Sequence, residues 1–185
     1  VQMAVEPLKS ASQFLGTPAI GEHIEADGHI RTYMLFNPSH EDPVLKNGAP
    51  VTSLAAAVVA SFTDKTLDQV LQENPPQRYD LPIFNYRKSV DWPKHDDGGV
   101  KETYYSPYRT ISLRDVISGK LSKAQKAALQ GSAVLVGSIS TGYFDHYPGP
   151  FNPHTPGPEF HLLAIDNVIN GDALKAPLNL LIVLL

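Results

Sequence analysis

The sequence has no cysteine and no long block of like charge, and each absence excludes a class of protein. Without cysteine there is no disulfide, no thiolate metal ligand and no cysteine nucleophile. The 15 basic and 19 acidic residues are scattered and sum to a formal charge of −4, so no basic stripe is available for DNA or RNA. A chain of 185 residues buries enough surface to fold without a structural metal, and no cofactor is predicted.

The sequence also lacks a run of about 20 apolar residues, the length that spans a bilayer as a helix. It begins at Val1 without an initiator methionine or a signal-peptide pattern, and after Pro177 the final residues are almost all apolar. We therefore expect a domain over 1–176 that is part of a longer protein. The segment 177–185 is interpreted either as a buried terminal element or as the start of a transmembrane helix.

Apolar spacing and capping residues predict a series of helices. Thr52 or Ser53 is expected to cap an alanine-rich helix, Ser112 to cap a short helix ended by Gly119, and Gly171 to end the last helix. The predicted helices span 7–16, 54–62, 67–71, 113–118, 121–129 and 156–171.

Strand signals alternate with these helices. The pair Asp27-Gly28 predicts a hairpin turn into a strand at 30–36, 81–86 has strand composition, and the apolar run 133–137 is typical of a strand buried on both faces. The segments 37–50, 87–103 and 145–156 are predicted loops, and 87–103 is expected to be exposed and mobile. The fold class predicted is α/β, a single domain with a mixed sheet flanked by helices.

Hydroxyl side chains follow the predicted strand at 133–137, at an edge where α/β sheets place ligands. Ser138, Ser140 and Thr141 are therefore candidate ligand contacts. The loop lacks the lysine of a phosphate-binding loop and the Gly-x-Ser-x-Gly spacing of a nucleophile elbow. A tight turn held by local hydroxyl bonds is the alternative interpretation.

A second group of candidates lies between residues 145 and 161. Asp145, His154, Glu159 and His161 can bind a ligand or exchange protons, but no two of them have the spacing that places metal ligands on one helical face. No metal site is predicted. A helix-capping Glu159 and a packed His161 remain the alternative interpretation, and Asp27 with Arg31 is expected to form an ion pair.

Two groups of motifs, in the observed order, resemble the second type of CHASE domain, a sensory module of bacterial adenylate cyclases, histidine kinases and serine/threonine kinases. The first group is the DG-x-x-R turn at 27–31 and the serine-leucine-alanine helix from Ser53. The second is the apolar strand ending in Gly137-Ser138, the PG-x-E-x-H motif at 156–161 and the A-x-D-N motif at 164–167. The resemblance covers about residues 7–174 and lacks the usual first strand and helix, so a sheet incomplete at its N-terminal side is expected.

The resemblance implies a domain on the periplasmic side of a bacterial inner membrane, anchored by flanking helices, that senses an unknown small molecule or protein and acts in a homodimer. The domain itself is then not an enzyme. A serine-dependent hydrolase using a histidine and an aspartate, and a ligand-free dimerisation module, are the alternatives.

Overall fold

The computed structural model describes residues 26–37, 51–74, 82–87, 90–93, 103–139 and 145–175. The predicted helix at 7–16, most of the loop at 37–50 and the segment 177–185 lie outside these residues. The elements in chain order are β1 Phe36–Asn37, β2 Val51–Thr52, α1 Leu54–Phe62, α2 Leu67–Glu73, β3 Val90–Pro93, β4 Thr103–Ser106, α3 Leu113–Ile117, α4 Lys123–Leu129, β5 His146–Tyr147, β6 Thr155–Pro156 and α5 Gly157–Asn170.

The chain divides into two compact units. The first comprises Val1–Asn85 and Ser138–Leu185, and the second comprises Tyr86–Gly137. The predicted limits of a sensory domain at 1–176 and a membrane segment at 177–185 remain predictions. In the part of the chain that the structure describes, no helix is both long and apolar enough to cross a membrane.

Helix α1 begins as predicted. Ser53 is its N-cap, and the Ser53 hydroxyl accepts a hydrogen bond from the Ala56 N–H at 3.1 Å. Its alanines are buried, and the helix packs against α5. Small side chains allow two helices to approach closely, so the alanine-rich stretch serves this packing. Helix α2 follows and is also confirmed, with a capping box between Thr66 and Gln69.

Helix α5 is the longest element, and both of its predicted ends are confirmed. Proline in the first turn is preorganised for a helix start, and Gly171 ends the helix in the left-handed conformation at φ +64°. Phe160, Leu163, Ala164 and Ile165 are 0–4% exposed. This buried stripe makes α5 the centre of the first unit's core.

Extended segments rather than long strands surround α5. The turn at Asp27-Gly28 is confirmed, with Gly28 at φ +83°. The predicted strand at 30–36 is reduced to β1, which pairs with β2, and to isolated bridges. Of the described residues 82–86 in the second predicted strand, Ile83 alone forms bridges, and it lies between Thr32 and Leu174 in antiparallel bridges. The predicted loop at 145–156 contains a small antiparallel pair, β5 with β6.

In the second unit, β3 and β4 form an antiparallel pair in which Trp92 lies opposite Tyr104. The prediction that the whole of 87–103 is an exposed, mobile loop is therefore wrong for β3. The proline, charged and glycine residues of 87–103 indicated a loop. Val90 and Trp92 of β3 nevertheless favour a strand, and Pro93 lies at the strand end, where proline is tolerated.

The prediction of a buried strand at 133–137 is also wrong. These residues belong to no strand and no helix, and Val134 and Val136 are 58% and 71% exposed. An apolar run marks a central strand only when neighbouring strands pair with it. None of the described residues pairs with 133–137.

The coarse fold class is confirmed because helices and strands both occur. The described strands form three separate antiparallel pairs, so a single mixed sheet remains a prediction.

We expect Ser53→Ala to lower the free energy of unfolding by about 1 kcal/mol, since the Ala56 N–H loses its acceptor. Ser112→Ala is the matched control: Ser112 is the N-cap of α3, but its side chain makes no capping hydrogen bond. Its effect should stay below about 0.5 kcal/mol. Equal losses in urea denaturation would contradict the capping role of Ser53.

Candidate functional site

The carboxylate of Asp145 lies against the N-terminus of α5. The Gly157 N–H donates to the Asp145 backbone oxygen at 2.9 Å. A Cβ built on Gly157 would lie 2.6 Å from the Asp145 Cγ, closer than atoms can pack. A side chain at 157 would therefore have to displace the Asp145 carboxylate, which occupies that space. An anion beside the first turn also interacts favourably with the helix dipole.

Tyr147 holds this carboxylate from the adjoining strand. Burial, then the Asp145 charge and a side-chain hydrogen bond to Asp145, raise the pKa of the Tyr147 hydroxyl. The Tyr147 ring meets Phe160 edge-on with centroids 6.2 Å apart, a favourable aromatic geometry. Strand β5 and the first turn of α5 are thus joined by a polar contact and an aromatic one.

A small pocket lies on the next turn of the same helix. Its volume is about 30 Å³, comparable to the space one water takes in the liquid. The lining is mainly apolar, with hydroxyl and imidazole groups among it, and includes Ile30, Thr32, Tyr33, Ser53, Phe160 and His161. In this structure the pocket can hold a water or the tip of a side chain, and a larger ligand requires it to open.

Aromatic rings form the wall of this pocket. Tyr33 and Phe84 lie 4.9 Å apart between ring centroids, and Phe84 lies 6.0 Å from Phe160. Burial, helped by the negative charge of Asp172, raises the pKa of Tyr33 to about 12. The sequence interpretation missed Thr32 and Tyr33, since only long-range packing brings them to α5.

Three of the seven candidate residues belong to one region. Asp145 contacts the start of α5, while Glu159 and His161 lie in its first two turns and are each 9% exposed. His154 is exposed in the β5–β6 connection, where its N–H donates to the Asn152 Oδ1 at 2.9 Å.

The remaining candidates are the three hydroxyl residues after the predicted strand at 133–137. Ser138 is exposed, and Ser140 and Thr141 lie outside the described residues. No group of three or more histidine and carboxylate side chains that could hold a metal occurs among the residues described.

At the other end of α5, Asn167 makes a pair of reciprocal hydrogen bonds. Its Oδ1 accepts the Asn85 backbone N–H at 2.7 Å, and its Nδ2 donates to the Asn85 backbone oxygen at 3.1 Å. Asn167 is 0% exposed. The partner lies 82 residues earlier in the chain. The sequence contains one signal of this contact, a polar residue within the apolar stripe of α5.

Asn85 extends this contact to the residues after the helix. Its Nδ2 donates to the Asp172 backbone oxygen at 3.2 Å and to the Asp172 Oδ2 at 3.3 Å. Two backbone hydrogen bonds of 2.9 Å join Ile83 and Leu174 beside it. We call Asn85, Asn167 and Asp172 the asparagine clamp.

The predicted ion pair between Asp27 and Arg31 is confirmed. The Arg31 guanidinium donates in bidentate fashion to the Asp27 carboxylate, at 2.9 and 2.6 Å. The Arg31 hydrogen bond, with a second from the His29 N–H, holds the pKa of Asp27 well below its usual range. The pair is about half exposed and stays on the surface around the Gly28 turn, so it organises that turn.

Gly157→Ala should destabilise the protein by about 1–3 kcal/mol because the new methyl group overlaps the Asp145 carboxylate. In an Asp145→Ala background the same change should stabilise by up to about 1 kcal/mol, since alanine favours helix over glycine. The free energy of unfolding of the four proteins forms a double-mutant cycle. If Gly157→Ala has the same sign in both backgrounds, Asp145 does not occupy that space.

Asn167→Ala should lower the free energy of unfolding by about 2–4 kcal/mol, because it leaves the Asn85 N–H and carbonyl without their partner. Asn170→Ala is the matched control, since Asn170 is exposed and its side chain donates to Asp166 within the same helix. That change should cost less than about 0.5 kcal/mol. Comparable losses in the two variants would contradict a stabilising role for the hydrogen bonds of Asn167.

Comparison with known proteins identifies the same family as the sequence motifs. A family model for the CHASE2 domain matches residues 7–185. Neither the curated proteins nor the solved structures give a match. CHASE2 domains are extracellular sensory domains, and the resemblance drawn from the sequence is confirmed. The chain belongs to the CHASE2 family of extracytoplasmic sensory domains.

Proposed function

We propose that this chain is the signal-binding part of a bacterial transmembrane receptor, such as an adenylate or guanylate cyclase or a sensor kinase. It lies on the periplasmic side of the inner membrane, binds a small molecule or a protein, and passes a conformational change across the membrane as a homodimer. Membership of a sensory family supports the general role. The arrangement of the first unit supports the more specific statements.

The observation that carries the proposal is the position of α5. Its first two turns bear Glu159 and His161, and its C-terminal half bears Asn167 of the clamp. His161 and Asn167 are six residues apart, which is about 9 Å along a helix. A rigid helix of this kind transfers a displacement at the pocket directly to the clamp.

The clamp connects α5 to two chain segments that such a displacement can move. The first of these segments ends at Asn85, where the first unit is interrupted, and the second unit begins at Tyr86. Asp172 follows α5 directly and leads to Leu174, which pairs with Ile83. A signal that binds one position of α5 more tightly than another shifts both segments together, and only such differential affinity can shift them.

We also propose that the domain has no catalytic role. A serine hydrolase needs a carboxylate that orients the catalytic histidine. Asp145, the candidate aspartate, packs instead against Gly157 and bonds to Tyr147. This position supports an architectural role for Asp145.

The pocket assignment is tested by screening periplasmic metabolites for compounds that raise the melting temperature of the chain. His161→Leu should abolish the shift caused by a true ligand, because His161 lines the pocket. His154→Leu, which alters an exposed histidine, should leave the shift unchanged. A ligand equally sensitive to both changes binds elsewhere.

The receptor assignment has an independent test in the gene. We expect the coding sequence beyond codon 185 to encode membrane helices followed by a cyclase or kinase domain. A stop codon directly after codon 185 would contradict a transmembrane receptor.

A further inference from the structure

The two units of the chain differ in charge. The second unit, Tyr86–Gly137, contains nine lysine and arginine residues and five aspartate and glutamate residues. It is therefore net positive, although the whole chain carries −4. Such an asymmetry points to an anionic partner for the positive unit.

The positive charge is concentrated on two short helices and the turn between them, residues 113–126. Four cations here are exposed: Arg114, Lys120, Lys123 and Lys126. The one acidic residue in this stretch, Asp115, is only 4% exposed. The stretch thus has four exposed cations and one buried carboxylate, which sum to a formal charge of +3. We call residues 113–126 the basic surface.

Large, exposed aliphatic side chains belong to the same stretch of sequence as these cations. Ile117 is 79% exposed, Leu113 is 53% exposed and Val116 is 43% exposed. All three belong to α3, and the lysines follow in the turn and on α4. Lys123 and Lys126 are three residues apart, so they are neighbours on one helical face.

We propose that the basic surface docks on an anionic lipid bilayer. Cations next to exposed aliphatic groups match the two parts of a bilayer interface: lysine heads reach the phosphates while aliphatic tips enter the boundary of the acyl chains. The two contributions reinforce one another, and membrane binding by two weak signals is stronger than by either alone. Each lysine or arginine near an anionic surface strengthens binding by about fivefold.

A lipid fits this surface better than a protein or a nucleic acid. Protein interfaces are depleted in lysine and enriched in arginine and aromatic residues, whereas three of the four cations here are lysines and the exposed apolar groups are aliphatic. Nucleic acid would pair with the cations but has no acyl layer for Ile117. The inference rests on charge and exposure in the second unit and does not depend on the pocket or on the proposed receptor role.

Sedimentation of the 185-residue chain with vesicles tests this inference. Vesicles of phosphatidylcholine with 30% phosphatidylglycerol are compared with pure phosphatidylcholine at 0.15 M NaCl. We expect binding to the anionic vesicles, at least tenfold weaker binding to the neutral ones, and weakening as salt rises. The double variant Lys123→Gln/Lys126→Gln should lower the partition coefficient about 20-fold.

Matched variants separate this surface from the overall charge and apolarity of the chain. Lys65→Gln/Lys175→Gln removes the same charge from the first unit and should leave binding within twofold. Ile117→Ser should weaken binding about fivefold or more, while Phe151→Ser, at a residue 75% exposed in the first unit, should not.

Three results would overturn the proposal. These are no binding to anionic vesicles at millimolar lipid, equal losses in the matched variants, and binding to a soluble DNA oligonucleotide that is as tight as to vesicles and insensitive to Ile117→Ser. The last result would indicate a general polyanion site. Circular dichroism of each variant confirms that the helices are retained before binding is compared.

Discussion

The first unit depends on one buried amide. Asn167 offers a donor and an acceptor from the apolar stripe of α5, and both meet the backbone of Asn85. Only a side-chain amide presents both groups to one backbone residue in this way, since a carboxylate lacks the donor and a hydroxyl cannot span the two positions. The extended segment at 82–85 is thereby held against α5, and through Ile83 so are Thr32 and Leu174.

The opposite end of α5 is held by a different constraint, the absence of a side chain at Gly157. The Asp145 carboxylate fills that space, and Tyr147 bonds to it. Most residues of the family motifs thus have architectural roles that the contacts explain: a turn with an ion pair, a helix cap, a tight helix start and a buried amide. Between the two ends His161 contributes to a pocket, which leaves it as the motif residue best placed to meet a signal.

Local signals in the sequence were sufficient for the helices. Ser53, Gly28 and Gly171 act through atoms within four residues, so capping and turn rules predict them. The candidate site was found in part, because Asp145, Glu159 and His161 are close in sequence to the start of α5. Thr32, Tyr33 and Asn85 join it only through tertiary packing, which no local pattern reports.

The strand predictions failed for a related reason. Strand formation depends on a partner, and apolar composition does not reveal whether one is present. Residues 133–137 have the composition of a central strand and remain unpaired among the described residues, while Val90–Pro93 pairs in spite of the charged residues and glycines that follow it. Without a partner strand, the valines at 134 and 136 are exposed to solvent.

Asn167 holds two segments against α5, residues 82–85 and residues 172–174. Amide hydrogen exchange measured by NMR tests this role most directly. In the wild-type chain the N–H groups of Ile83, Asn85 and Leu174 should be protected. In Asn167→Ala they should exchange at least about tenfold faster, whereas the Ala57 N–H, bonded to Ser53 within the α1 cap, should change less. Protection of those three amides that is unchanged in Asn167→Ala, or lost equally in Asn170→Ala, would contradict the account.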